Sequence, residues 1–177
     1  MESTDVLVIG SGIAGLCAAI EAARTGATVT VASAGKTMSG SSFFPGTWGL
    51  GLIGPVDEDD EKDLIDTILA VGGGVADPEL VQTFVHGIPQ AIDWLEQDLG
   101  VELQRPQSAK SAQQKQFIPC FDHKTRMWRG LTRKPLEDAL TTWIESLGIR
   151  LLPRHELIDL VEDTNGRITG TVLYDLT

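Results

Sequence analysis

An α/β fold built on a parallel sheet is what this sequence predicts, and three observations predict it. A short apolar run, Val6-Leu7-Val8-Ile9, is followed at once by a glycine-rich turn. An Ala-rich helical stretch comes next and ends at Thr25-Gly26. A second β-branched run, residues 28–32, returns after only a short connection. Strand, tight turn, helix and strand in that order make two adjacent parallel strands with a crossover helix between them.

The first strand is residues 5–10 and the helix residues 13–24. Between them Gly10-Ser11-Gly12-Ile13-Ala14-Gly15 forms a G-x-G-x-x-G. Its position after a strand and at the opening of a helix gives the motif meaning, because such a turn is built to hold a dinucleotide. Gly10 permits the tight turn, Gly12 lets the backbone approach a pyrophosphate, and Gly15 lets the helix lie close on the strand. The N–H groups and dipole at the start of the helix then favour phosphate. At the end of the second strand such folds carry an acidic residue for a ribose hydroxyl. Here the position is Ser33, whose hydroxyl can still bond the ribose.

Residues 33–55 are rich in Gly, Ser and Pro and too long for a plain connector, which marks them as functional. Residues 57–71 read as a helix with an acidic first turn and an apolar stripe of Leu64, Ile65, Ile68 and Leu69. Gly72-Gly73-Gly74 ends it, and Asp77-Pro78 caps a further helix to about residue 99, interrupted near Gly87-Ile88-Pro89. Residues 104–115 are polar, without periodicity, and read as a loop. Residues 134–147 form another helix closed by Gly148, and residues 149–152 and 157–161 read as strands. Asn165-Gly166 then turns the chain into a last strand, residues 168–174, so the sequence closes on a β hairpin.

Composition sets the outer bounds. The chain has 177 residues with a formal net charge of −11. That balance argues against nucleic acid and anionic membrane surfaces as partners, since both attract basic patches. No run reaches the roughly 18 apolar residues of a membrane span. Two cysteines, Cys17 and Cys120, give neither a disulfide framework nor metal-ligand spacing, and point to a reducing, cytoplasmic setting. The acidic N-terminus lacks the basic start of a signal peptide.

The Gly-rich βαβ unit with Ser33, the Gly40-Ser41-Ser42-Phe43-Phe44 segment, residues 57–99 and residues 149–160 together resemble the flavoprotein family of fumarate reductase, succinate dehydrogenase and L-aspartate oxidase. Within it the likeness is strongest to L-aspartate oxidase, where Ser also stands at the strand end. The resemblance implies a Rossmann-like FAD-binding domain over residues 1–177, incomplete relative to the family. It implies a two-electron exchange between FAD and a small carboxylate substrate. By the same resemblance Gly10, Ser11, Gly12, Ile13, Ala14 and Gly15 form the cofactor-binding turn, with Ser11 to Ala14 holding the FAD pyrophosphate, and Ser33 meets the adenosine ribose. Gly40, Ser41, Ser42 and Phe43 lie toward the flavin, and the backbone of Glu156 and Leu157 toward the adenine. Family members that tether the flavin do so through a His before the Gly-Gly loop. That position is Ser41 here, which implies non-covalent FAD.

Two departures stand out: Pro45-Gly46-Thr47-Trp48-Gly49 replaces the family's Ala-Gln-Gly-Gly, and Ala34 replaces a Lys. The family's substrate-binding and proton-transfer residues lie in a capping domain farther along, so this chain reads as the N-terminal part. No catalytic residue and no metal site is assigned. Two other classes stay open: an NAD-dependent dehydrogenase domain, and a nucleotide-binding module without turnover. His123, Lys124, Arg126, Arg129 and Arg133 surround Trp128 and read first as a solvated loop, second as an anion-binding loop for a dicarboxylate. His86 reads as a packed or surface residue, His155 as secondary to its backbone, and Asp57 to Glu61 as a solvated helix start.

Overall fold

The computed structural model describes residues 3–44, 51–107, 124 and 126–177. Two compact units emerge, one formed by residues 1–48 and 136–177, the other by residues 49–135.

In the first unit β1 (Val6–Ile9), α1 (Ile13–Arg24) and β2 (Val29–Ser33) form the expected strand–helix–strand unit, with β1 and β2 parallel and Val6 opposite Val29. A third strand, β5 (Arg150–Pro153), pairs parallel to the other edge of β2, with Thr30 opposite Arg150 and Ser33 opposite Pro153. Because β2 lies between two neighbours it is buried at Val29, Val31, Ala32 and Ser33. Leu16, Ala19, Ile20 and Ala23 form the covered stripe of α1, at the i, i+3, i+4, i+7 spacing of one helix face. The helix α4 (Arg133–Ser146) buries Leu136, Leu140 and Ile144 by the same logic, and its Trp143 ring lies 5.4 Å beneath the Arg24 guanidinium. β6 (His155–Glu162) and β7 (Ile168–Asp175) are the antiparallel hairpin read from Asn165-Gly166. Asp163 fixes its turn by accepting from the amides of Asn165 and Arg167, at 2.8 and 3.0 Å, and Gly166 supplies a φ of +78°.

In the second unit α2 (Glu58–Val71) is capped by Asp57, whose carboxylate accepts from the Asp60 amide at 2.9 Å. α3 (Pro78–Asp93) is capped by Asp77 through the amides of Glu79 and Leu80. The expected interruption near Gly87-Ile88-Pro89 does not occur: α3 runs through Pro89 to Asp93 and passes into a π-helical turn over Trp94–Asp98. Val81, Val85, Ile88 and Ile92 bury one continuous stripe, and that packing outweighs the one hydrogen bond Pro89 cannot donate.

A second departure is a two-stranded ribbon, β3 (Leu52–Gly54) and β4 (Met127–Arg129), paired antiparallel with Ile53 opposite Trp128. The sequence reading had a loop in both places. β4 lies within the basic cluster that read as solvated, yet Trp128 is 5% exposed and Arg126, just before it, 0%. That reading is corrected for these residues. His123 and Cys120 lie outside the described residues, as do residues 108–115 of the expected polar loop. No helix among the described residues is long and apolar enough to cross a membrane.

Candidate functional site

The first unit carries a cleft at the carboxyl end of its parallel strands, where open α/β sheets place ligands. The chain leaves β1 at Gly10, whose amide donates to the Ala32 carbonyl at 2.7 Å. Gly10 has a φ of +106°, a left-handed conformation that favours glycine. Ser11 follows, almost fully buried, and its hydroxyl donates to the Lys36 carbonyl at 3.3 Å. Gly12 is the N-cap of α1, with no side chain to bond the first-turn amides and no acidic residue in that turn. Those orphan N–H groups and the positive end of the helix dipole make an anion site.

The three motif glycines serve different ends. A Cβ on Gly15 would lie 2.0 Å from the Gly10 carbonyl oxygen and 3.3 Å from Val8 Cγ1, so Gly15 is required by the helix–strand packing itself. A Cβ on Gly12 would meet only the Ser39 carbonyl oxygen, at 3.7 Å, an ordinary contact. Among the described residues nothing therefore excludes a side chain at Gly12; the space it would fill belongs to the cleft.

The opposite wall is the chain leaving β2. Ser33 ends that strand, largely buried. Residues 34–40 then fold back over the turn, held by the Ser11–Lys36 bond and by the Arg154 amide donating to the Gly35 carbonyl at 3.0 Å. Gly40, at a φ of +104°, starts a 3-10 turn over Ser41–Phe43, in which the Phe43 amide donates to the Gly40 carbonyl at 3.1 Å and the Phe43 ring is buried.

Gly10, Ser11, Gly12, Ile13, Ala14, Ser33, Gly40, Ser41 and Ser42 thus line one cleft of about 380 Å³, brought together from two stretches of chain that the sequence separates by some twenty residues. Gly15 and Phe43 lie behind its walls as packing residues. Glu156 and Leu157, the second and third residues of β6, do not line it. Ser39 lines the cleft and was missed by sequence reasoning, as was the Lys36 carbonyl. Their signal lies in geometry: a long connection leaving β2 must pass over the Gly-rich turn before it reaches Gly40.

Other candidates resolve into structural roles. Cys17 in α1 has its thiol pushed up to about 11 by burial and, next, by the Glu21 carboxylate, which leaves it a poor nucleophile. His86 faces Glu61 at 3.2 Å, tying α3 to α2. The His155 ring nitrogen Nδ1 lies 2.8 Å from the Pro153 carbonyl. Among the described residues no cluster of His, Cys, Asp or Glu is arranged to hold a metal. The Pro45 to Gly49 stretch lies outside the described residues.

Comparison with known proteins places the chain in a family. Residues 5–177 match the family described as "FAD binding domain". The L-aspartate oxidase of Halobacterium salinarum is 35% identical over 97% of this chain and 32% of its own length. The 8-methylmenaquinol:fumarate reductase flavoprotein subunit of Wolinella succinogenes is 30% identical over 99% of this chain and 28% of its own. A flavocytochrome c3 fumarate reductase in its open conformation superposes with a TM-score of 0.69 at 24% identity, over 97% of this chain and 30% of that one. The chain spans about a third of the length of the curated relatives it matches.

Proposed function

The chain belongs to the FAD binding domain family, and from that premise we propose that it forms the N-terminal portion of the FAD-binding domain, residues 1–177, of an oxidoreductase acting on a small carboxylate. The observation that carries the reading is the cleft in which Gly12 leaves room that no atom of the described residues fills. FAD, when bound, supplies two-electron transfer at its isoalloxazine ring.

The chain's own part is to bind and orient. The amides at the start of α1, with Gly10, Ser11, Gly12, Ile13 and Ala14, would hold the pyrophosphate, with Gly15 keeping the helix against the strand. Ser33 would bond the adenosine ribose, and Gly40, Ser41, Ser42 and Phe43 would present the turn toward the flavin. The Glu156–Leu157 backbone, at the start of β6 beyond the cleft lining, is the proposed adenine contact. No His lies between Gly40 and Trp48, so the reading has FAD held without a covalent tether.

L-Aspartate and fumarate, the compounds in the names of the two relatives, are the first substrates to test. Two experiments decide. Fluorescence titration with FAD and with NAD should show FAD binding more tightly, and acid precipitation should release all the yellow colour; tighter NAD binding overturns the reading. In the protein that contains this domain, anaerobic L-aspartate should bleach the bound flavin, or fumarate should reoxidise it. Failure of both would remove the carboxylate substrate and leave the FAD reading standing.

A further inference from the structure

We propose that Arg126 is a buried ionic clasp that holds the β3–β4 ribbon closed, and that its release opens the ribbon as a local unit while the β1–β2–β5 sheet stays intact. Arg126 is 0% exposed, an unusual place for a guanidinium. Its Nη1 donates to Asp60 Oδ1 and, at 3.2 Å, to the Asp60 carbonyl, and its Nη2 donates to Asp63 Oδ2 at 2.9 Å. Asp60 and Asp63 are one turn apart on α2, so one planar fork grips two acidic side chains on one face of that helix. Lys124, two residues earlier, reaches Asp63 from the surface at 2.5 Å.

These bonds join positions more than sixty residues apart, directly before β4. The ribbon they anchor is slight: three residue pairs, extended by the mutual amide bonds of Gln104 and Gly130 at 2.8 Å. An isolated two-stranded ribbon is marginal in water, so its persistence rests on anchors beyond its own ladder. Trp128 is one, packed so closely that a Cβ at Gly51 or Gly130 would overlap its indole. Arg126 is another, and it differs in kind. A buried charge that loses its partners is not relieved by small shifts, so the clasp is either made or the segment leaves.

The test is amide hydrogen exchange on the 177-residue chain, read by peptide mass spectrometry, for wild type, Arg126→Gln, Lys124→Gln and Asp63→Asn. Arg126→Gln should speed exchange at residues 52–54, 104 and 127–130 on the order of a hundredfold. Lys124→Gln, which removes a pair at the surface, should change it less than about threefold. Peptides of β1, β2 and β5 should exchange as in wild type in every variant. If Arg126→Gln does not fold, Asp63→Asn decides, with the same local pattern expected at about a tenth of the size. Exchange in Arg126→Gln no faster than in Lys124→Gln, a uniform rise across both units, or an unchanged ribbon in Asp63→Asn would each overturn the clasp.

Discussion

At Gly15 a methyl group would land 2.0 Å from a backbone oxygen, whereas at Gly12 it would meet nothing closer than 3.7 Å. The two glycines of one motif therefore predict opposite phenotypes. Gly15→Ala should lower the unfolding free energy by about 3 kcal/mol, the upper range for overpacking, because the obstacle is backbone and cannot rotate away. Gly12→Ala should leave the urea midpoint within error, since its φ of −72° suits any residue, and should weaken FAD at least tenfold by filling the cradle. Loss of folding in Gly12→Ala, or full FAD affinity in it, would separate the cleft from the cofactor. Cys17 gives a second check at this scale. With its thiol at about 11, it should react with iodoacetamide at pH 7.5 far more slowly than free cysteine, and rapid labelling would contradict the burial that raises it. The packing role of Gly15 was legible in the sequence because the G-x-G-x-x-G spacing encodes it locally. The Ser39 and Lys36 contributions were not, because they depend on how a loop returns through space.

Among the elements, those with a strong local signal were legible and those stabilised from afar were not. α1, α2 and α4 carry periodic apolar faces, and Asp77 caps α3 as its sequence place suggests, while Asp57, read as the first residue of α2, is its cap. The hairpin announces itself through Asn165-Gly166. The ribbon β3–β4 does not: three-residue strands have no readable period, and β4 sits among basic residues that look solvated until α2 supplies Asp60 and Asp63. The same reason explains the uninterrupted α3, where the buried stripe from Val81 to Ile92 overrides a local breaker. An element-scale prediction follows from the caps. Asp77→Ala removes the acceptor for two first-turn amides and should lower stability by about 1 kcal/mol, read as a shifted urea midpoint with unchanged slope. Asp77→Asn should recover most of it, since the amide oxygen still accepts. If Asn behaved like Ala, the cap would not be what starts α3.

Across the whole molecule the dominant electrostatic fact is a net charge of −11, against a pI near 4.6. Self-repulsion at pH 7 should thus be relieved both by salt and by mild acid. Opposing the acid effect are carboxylates whose charged forms the fold favours. Lys124 and then Arg126 hold Asp63 below the usual carboxylate value of 3.8 by hydrogen bonding. The Thr28 hydroxyl and amide do the same for Asp5, and the Thr177 amide and hydroxyl for Asp175. A carboxylate with a depressed folded pKa contributes stability in full above its unfolded value. That contribution falls away as pH drops below 3.8 and through the folded value. Stability should therefore rise modestly from pH 7 toward pH 5 as charge is titrated away, then fall steeply below pH 3.8, where protonation takes these carboxylates from their donors. Urea midpoints measured from pH 8 to pH 3, at low and at high salt, would trace this curve. Asp63→Asn supplies the control, because it removes the group whose protonation is invoked while leaving Asp5 and Asp175 in place. Its midpoint should be lower at pH 7 and should fall less below pH 3.8 than that of the parent chain. A variant whose acid limb runs parallel to the parent's would show that Asp63 contributes nothing to acid unfolding, and would leave that limb to Asp5, Asp175 and net positive charge.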